Sequence, residues 1–483
     1  MATQSGTLSS AALLWSKAKQ AILLLTSIAI GMMIWFSPVP EGITEKAWHL
    51  LSIFVATIFA VIAKPLPMAA VSLLSLTFAI LSKTLTFEEA FSGFSNDVVW
   101  LIVMAFFIAK GFVSTGLGNR IAYFFMKVFG KTTLGLGYGV VLTDLILSPT
   151  IPSVTARSGG VIYPILKSLA KAFNSEPGQP SSRKIGSFLM KAAFQGSAIT
   201  SGMFLTAMSG NPLMCEMARG LGIEITWGKW ALATLVPGLC SLILVPFLIY
   251  KLYPPEIKKT PDAAVYASKK IEELGKMKKS EWLMFFTFLL LVGLWIFGGP
   301  FGVKPVTAAL LGISILLVAG VFKWEEILQE KGAWDTLIWF SSLVTLASFL
   351  NKFGLTGFVS NHIVSSIQTL HWITGFSILA LLYFYSHYFF ASNVAHIGAM
   401  YAPFLVVAVA IGTPPMLAAL LLAIFSNLFG GLTHYGSGPA PILYGAGFVP
   451  VGAWWKIGGI VSVVNVLIWM LIGGAWWKFI GLW

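Results

Sequence analysis

Ser153-Val154-Thr155-Ala156-Arg157 lies in one apolar stretch of the chain, and Ser392-Asn393-Val394-Ala395-His396 lies in another. Each segment has Ser first, Ala fourth and a basic side chain fifth. Each is followed at the same distance by a proline, Pro164 or Pro403. Polar residues inside an apolar stretch are costly in a bilayer, so a break that occurs twice marks a paired site. A paired site of this kind, where internal repeats meet near the bilayer midplane, binds a small solute and moves it.

The rest of the chain supports a membrane setting. Of its 483 residues 57% are hydrophobic and 10% charged, and the mean hydropathy is +0.85. Apolar runs long enough to span a bilayer fall near 18–38, 47–63, 66–82, 98–116, 190–208, 229–252, 284–299, 305–322, 334–350, 414–432 and 455–475. The two motif-bearing regions, about 134–173 and 373–411, are interrupted by Pro, Ser and Gly. They read as re-entrant hairpins with the motifs at their tips, because irregular backbone at this depth must be enclosed by protein or water. The expected fold is an all-α polytopic membrane protein with about eleven transmembrane helices and two hairpins.

The net charge of +13 would suit nucleic acid. With a cytoplasmic N-terminus, however, most of the Lys and Arg fall on the cytoplasmic side, which is the positive-inside bias that sets topology. Nucleic acid is set aside as a partner, and the C-terminus is expected to be periplasmic. Cys215 and Cys240 sit in or beside apolar spans without a His/Cys cluster, so free thiols are expected, with no metal and no cofactor. The first apolar run has no cleavage site or transit character and reads as a retained span, which favours a bacterial inner membrane. The Trp-rich end (Trp454, Trp455, Trp476, Trp477, Trp483) reads as interfacial belts.

The repeat extends beyond the tips. Asp97 to Gly116-Leu117 matches Asp335 to Gly354-Leu355, Thr206–Pro212 matches Tyr435–Pro441, and Gly228–Trp230 matches Gly452–Trp454, all in the same order. Kept order over this length indicates internal duplication. The chain divides into a first segment and span (1–45), a first repeat (46–252), a hydrophilic cytoplasmic linker (253–282) and a second repeat (283–483). An odd number of spans in each repeat makes the two repeats inverted, the architecture of secondary transporters. The linker carries a helical stretch at Ala267–Met277, expected on the membrane surface.

The chemistry expected at the site follows from these residue types. Ser153, Thr155, Ser392 and Asn393 can donate hydrogen bonds to a carboxylate. Half-helix N-termini aim free N–H groups and partial positive charge at the same point. Asn211-Pro212 and Thr433-His434 with Gly436-Ser437-Gly438-Pro439 break the adjacent spans. Arg157 and His396 admit two readings: positive potential for an anion, or ties from each tip to neighbouring carbonyls. Asp144 in the first hairpin arm can pair with a cation, His434 is a site or structural residue, and His387 reads as a packed core histidine. Two tips, each suited to one anionic group, fit a dicarboxylate. A membrane-embedded enzyme lacks support, since the chain has no His-Glu-x-x-His and no paired intramembrane carboxylates. An anion channel usually draws pore rings from several subunits, whereas here one chain supplies a paired site.

At these residues the chain resembles the divalent-anion/sodium symporter superfamily, in its 2-oxoglutarate/malate translocator branch. The resembling stretches are Ser148–Arg157, Tyr383–Ser392 with Ala395–Met400, Gly430–Gly436, Tyr253–Ile257 and the Trp-Trp-Lys terminus. The resemblance implies a homodimer of eleven-span protomers. In each, a scaffold would come from the first spans of each repeat, and a rigid elevator domain would hold both hairpins. It also implies Ser-Asn-Thr at each tip, binding carboxylate and framing sodium. Here Val154 and Val394 replace one polar group at each tip, which removes oxygen ligands that a hard cation needs. The expectation is therefore sodium-independent, obligatory dicarboxylate exchange, with Arg157 and His396 as fixed compensating charges. Sodium- or proton-coupled uptake is the alternative.

Overall fold

A computed structural model describes residues 10–355, 358 and 371–483, with side chains from residue 18 onward. Among the described residues, β structure is limited to an isolated bridge between Thr132 and Lys259. The chain forms two compact units, one from Met1–Asn96 with Asp335–Ser365, the other from Asp97–Trp334 with Ser366–Trp483. Each unit therefore draws on both repeats.

The first unit is built from α1 (Ser10–Trp35), α2 (Glu45–Ala63), α3 (Met68–Leu81) and the short α4 (Phe87–Phe91). The Thr44 side chain accepts from the Ala47 N–H to start α2, and left-handed Lys64 (φ 55°) ends it. A Thr86/Glu89 capping box starts α4. Leu50, Ile53, Leu76, Ala79, Leu85 and Ala90 form a core with Leu346, Phe349 and Leu350. Gly93 seals that core. Its N–H donates to Thr345 Oγ1 at 3.0 Å, and a Cβ there would collide with the Ser341 carbonyl.

The second unit begins with α5 (Asp97–Thr115), α6 (Leu117–Phe129) and α7 (Thr133–Leu147). Extended chain then leads into α8 (Val154–Ala156), a π turn (Arg157–Ile162) and α9 (Tyr163–Ala172). Next come α10 (Gly186–Met203), a break with one 3₁₀ turn (Leu205–Ala207), α11 (Gly210–Arg219) and α12 (Trp227–Leu252). The linker helix α13 (Pro261–Leu274) packs on α6, beginning and ending earlier than the expected 267–277. Helices α14 (Lys279–Phe297), α15 (Pro305–Val318) and α16 (Trp324–Leu328) follow, and α17 (Lys331–Lys352) runs on into the first unit. After residue 370 the pattern returns: α18 (Trp372–Tyr385), a 3₁₀ turn (Ser386–Phe389), α19 (Asn393–His396), a π turn (Ile397–Tyr401) and α20 (Ala402–Ala410). Then come α21 (Pro415–Leu428), α22 (Pro439–Gly445), α23 (Val451–Leu467), another π turn (Ile468–Gly473) and α24 (Gly474–Phe479).

The repeated motif thus has a repeated backbone. A π turn starts at Arg157 in the first hairpin and one residue beyond His396 in the second. Pro164 and Pro403 lie at the second position of the α-helix that follows. Proline lacks an N–H and its ring crowds the carbonyl four residues back, and a wider turn there relieves both effects.

Eight of the described helices are long and apolar enough to cross a membrane. The spans expected at 66–82, 305–322 and 414–432 are shorter apolar helices, Met68–Leu81, Pro305–Val318 and Pro415–Gly431. One interpretation of the Trp-rich end is corrected. Trp454 and Trp477 are fully buried, with indole N–H groups donating to the Thr433 and Ala233 carbonyls. Interior carbonyls, not an aqueous interface, satisfy them. Cys215 and Cys240 are free thiols.

Candidate substrate cavity

Both motif serines begin their tip helices. Ser153 Oγ accepts from the Ala156 N–H at 3.1 Å, and Ser392 Oγ accepts from the Ala395 N–H at 3.4 Å. Each serine is extended and acts as an N-cap. The next two N–H groups, on Val154 and Thr155 and on Asn393 and Val394, have no partner four residues back within their own helix. Each tip therefore presents backbone donors and a positive helix end, whatever side chain follows the serine.

These four residues and the two serines line one cavity of about 200 Å³. Its other walls come from both breaks. The first contributes Ser197, Ala198 and Ser201 of α10 with Met208 and Ser209, and the second contributes Asn427, Gly430, Ser437, Gly438 and Pro439. Phe106 of α5 adds one aromatic wall. The lining is hydroxyl, amide and apolar, and among the described residues that line it none is charged. The volume is below the ~300–1,000 Å³ of ordinary small-molecule pockets, so the cavity suits a compact solute. Gly438 packs directly on the first tip, since a Cβ there would collide with Thr155 Oγ1.

Three expected lining residues stand behind the cavity. Asn211 donates from Nδ2 to the Ser201 and Phe204 carbonyls at 2.8 and 3.1 Å. Its Oδ1 accepts from Asn427 Nδ2 at 2.8 Å. Asn211 therefore ties the α10 break to α21 and orients Asn427. Pro212 is buried in the first turn of α11, and Thr433 is fully buried in the second break.

Arg157 and His396 are not among the residues lining the cavity, and of the two readings of Arg157 its bonds match the tie from the tip to neighbouring carbonyls. Arg157 is fully buried. Its Nε donates to Asp144 Oδ1 at 3.0 Å, and its Nη1 donates to the Ile151 and Ala207 carbonyls at 2.5 and 2.7 Å. Asp144 Oδ2 in turn accepts from Thr200 Oγ1. The guanidinium is matched by a carboxylate, so the pair adds no net charge. His396 is also fully buried, with Nε2 2.9 Å from Ser386 Oγ and its ring against Phe390 and Phe429 at 4.5 Å. His434 is not among the residues lining the cavity and accepts from Trp455 Nε1 at 2.9 Å.

Sequence reading missed Ser197, Ser201, Asn427 and Phe106, which carry no repeated motif; Ser437 lies in the repeated Tyr435–Pro441 segment but was not singled out there. It also passed over Lys191 of α10, which is fully buried. Lys191 Nζ donates to the Trp454 carbonyl at 2.8 Å and lies 4.1 Å from the Trp454 ring centre.

Paired hairpins and broken helices closing on a small polar cavity, within a bundle of membrane-length helices, define a polytopic membrane transporter. Comparison with known proteins narrows the class. The sodium:sulfate symporter transmembrane region matches residues 18–483, and the chain belongs to that family, the divalent-anion/sodium symporter superfamily that the tip motifs resemble. It is 55% identical to the putative malate transporter YflS of Bacillus subtilis, over 95% of this chain and 96% of that protein. It is 54% identical to the chloroplastic dicarboxylate transporter 1 of Arabidopsis thaliana, over 95% and 83%. It is 38% identical to the inner membrane protein YbhI of Escherichia coli, over 95% and 97%. Among solved structures, the Alcanivorax borkumensis YdaH transporter shares the fold with a TM-score of 0.55 at 12% identity, covering 96% of this chain and 98% of that one. Neisseria gonorrhoeae MtrF does so with 0.56 at 12%, covering 95% and 94%.

Proposed function

We propose that this protein exchanges one dicarboxylate for another across a bacterial inner membrane, without sodium. Malate and dicarboxylates are the solutes named for the relatives YflS and chloroplastic dicarboxylate transporter 1. Two helix N-termini facing one small cavity suit a compact solute with an anionic group at each end. Malate, 2-oxoglutarate and succinate all fit that description.

The observation that carries the sodium-independent reading is the position of Arg157. Two backbone carbonyls, from Ile151 and Ala207, and the Asp144 carboxylate converge on it. Convergent oxygens are what a hard cation requires. Here a guanidinium meets them, and it cannot dissociate. When the cavity closes without solute, the tip N–H groups lose water and gain no acceptor, at about 1–3 kcal/mol each. An empty carrier therefore crosses slowly and a loaded one crosses readily, which makes transport an exchange.

The reading extends to mechanism and assembly. Both hairpins and both broken helices fall in one compact unit, while residues 1–96 and 335–365 form another. That division supports an elevator in which the hairpin unit travels, in a homodimer with cytoplasmic N-termini and periplasmic C-termini. Sodium-coupled uptake has one observation in its favour: Asn393 Oδ1 and Asn427 Oδ1 are buried without a donor.

Purified protein in liposomes tests these readings. Labelled 2-oxoglutarate is offered to vesicles holding malate or no dicarboxylate, with and without external sodium. Uptake that needs internal malate and ignores sodium is the expected result. Uptake into empty vesicles that needs sodium would establish the symporter instead.

A further inference from the structure

The incoming arm of the second hairpin carries a buried histidine that the proposed exchange does not yet use. His387 is fully buried in the 3₁₀ turn after α18. Its Nε2 lies 2.9 Å from the Gly436 carbonyl. A carbonyl only accepts, so Nε2 carries the proton and donates. The ring stacks on Phe429, with centroids 3.9 Å apart and planes 16° from parallel. Both contacts reach the cavity wall through the next residue in sequence. Phe429 precedes Gly430, and Gly436 precedes Ser437, Gly438 and Pro439, all four of which line the cavity.

The join is tight and doubled. A Cβ at position 436 would lie 2.8 Å from Thr433 Oγ1 and 2.9 Å from His387 Nε2, so any other residue would push one of those side chains aside. Tyr435 Oη donates to the Tyr388 carbonyl at 2.8 Å. Two adjacent residues of the hairpin arm thus hold two adjacent residues of the cavity loop. That loop contains two glycines and resists displacement only as far as its bonds allow.

We propose that His387 is a positioning residue for ligand recognition. Its Nε2–H fixes the Gly436 carbonyl and so sets the Ser437–Pro439 wall against the first tip. The proposal rests on the dicarboxylate reading above. Losing the donor loosens one wall of the cavity, while the fold keeps the stacked ring. Binding then weakens and the translocation step is unaffected. A histidine that only filled space would be replaceable by any aromatic ring of similar size.

Two variants separate donor from ring. His387→Phe keeps the stack on Phe429 and removes the donor. His387→Gln removes the ring and keeps a side-chain N–H at similar reach. Full-length protein in liposomes gives apparent KM and maximal exchange rate for malate and 2-oxoglutarate, and hydrogen-exchange mass spectrometry follows the peptide spanning 430–441. We expect His387→Phe to raise KM about tenfold with an almost unchanged maximal rate, as weakened ground-state binding with an unaltered transport step does. Faster amide exchange at 436–438 should accompany it, and His387→Gln should restore both. A His387→Phe variant with wild-type KM and exchange would overturn the proposal, as would two variants impaired alike. Wild-type protein that moves no dicarboxylate would sink the functional reading alone, and the amide exchange of the two variants would still decide the role of His387.

Discussion

Arg157 Nη1 donates to the Ala207 carbonyl at 2.7 Å, so the first hairpin tip and the break between α10 and α11 are held by one cation. The same nitrogen reaches Ile151, just before the tip, and the guanidinium is balanced by Asp144. A charge buried this way is structural cement whose removal leaves its partner exposed to a low-dielectric interior.

Arg157→Met should therefore destabilise the protein by about 3–5 kcal/mol, because Asp144 is left buried and unpaired. The double variant Arg157→Met/Asp144→Leu should recover most of the thermal stability and still lack sodium-independent exchange. Melting curves in detergent, run beside liposome assays, separate the two effects.

If the tips bind through backbone N–H groups, Val154→Pro is the informative change. Val154 is the first helical residue, where proline is well tolerated, and Ser153 before it is already extended (ψ 102°). The variant should fold with near-normal melting and lose most dicarboxylate affinity, whereas Val154→Ala should retain it. Titration calorimetry with malate checks both.

Gly438→Ala forces a methyl onto Thr155 Oγ1. Overpacking of this kind costs about 1–3 kcal/mol, and it falls where the first tip meets the second break. Exchange should fall sharply, and the double variant Gly438→Ala/Thr155→Ala should regain part of it. Initial rates in liposomes are the measurement.

Arg120 and Glu281 form a two-pronged ion pair, Nε to Oε1 at 2.7 Å and Nη2 to Oε2 at 3.1 Å. Arg120 Nη1 also holds the Gly275 carbonyl at 3.0 Å. Arg120→Ala should release the linker's last turn, and trypsin should then cut at Lys276, Lys278 or Lys279 faster than in the wild type. Timed digestion followed by mass spectrometry reads the change directly.

The tips were legible because they break an apolar pattern. Ser153, Thr155, Ser392 and Asn393 stand out as polar residues where a membrane disfavours them, and Gly438-Pro439 stands out as a helix break. Asn427 and Ser201 did not stand out. They sit inside helices whose pattern is otherwise unremarkable, and only the packing of α10 against α21 brings them to the cavity. Arg157 stands out in the sequence, but residue type alone left open whether it faces a solute or ties the tip to carbonyls. Asp144, thirteen residues upstream in an apolar arm, carried the signal, since a buried acid needs a cation and the nearest one within the same hairpin is Arg157. Trp454 and Trp477 follow the same logic. Composition near a terminus suggests an interface, and only tertiary contacts reveal that their indoles reach interior carbonyls.

The first unit has a consequence for biosynthesis. Its core joins Leu50, Ile53, Leu76 and Leu85 to Leu346, Phe349 and Leu350, and residues 97–334 intervene. A ribosome adding ~5–20 residues per second needs roughly 12–50 s to make that intervening stretch. For that interval the nascent first helices sit in the membrane with one another but without α17. Their apolar faces are then occupied by lipid or by the insertion machinery until α17 arrives.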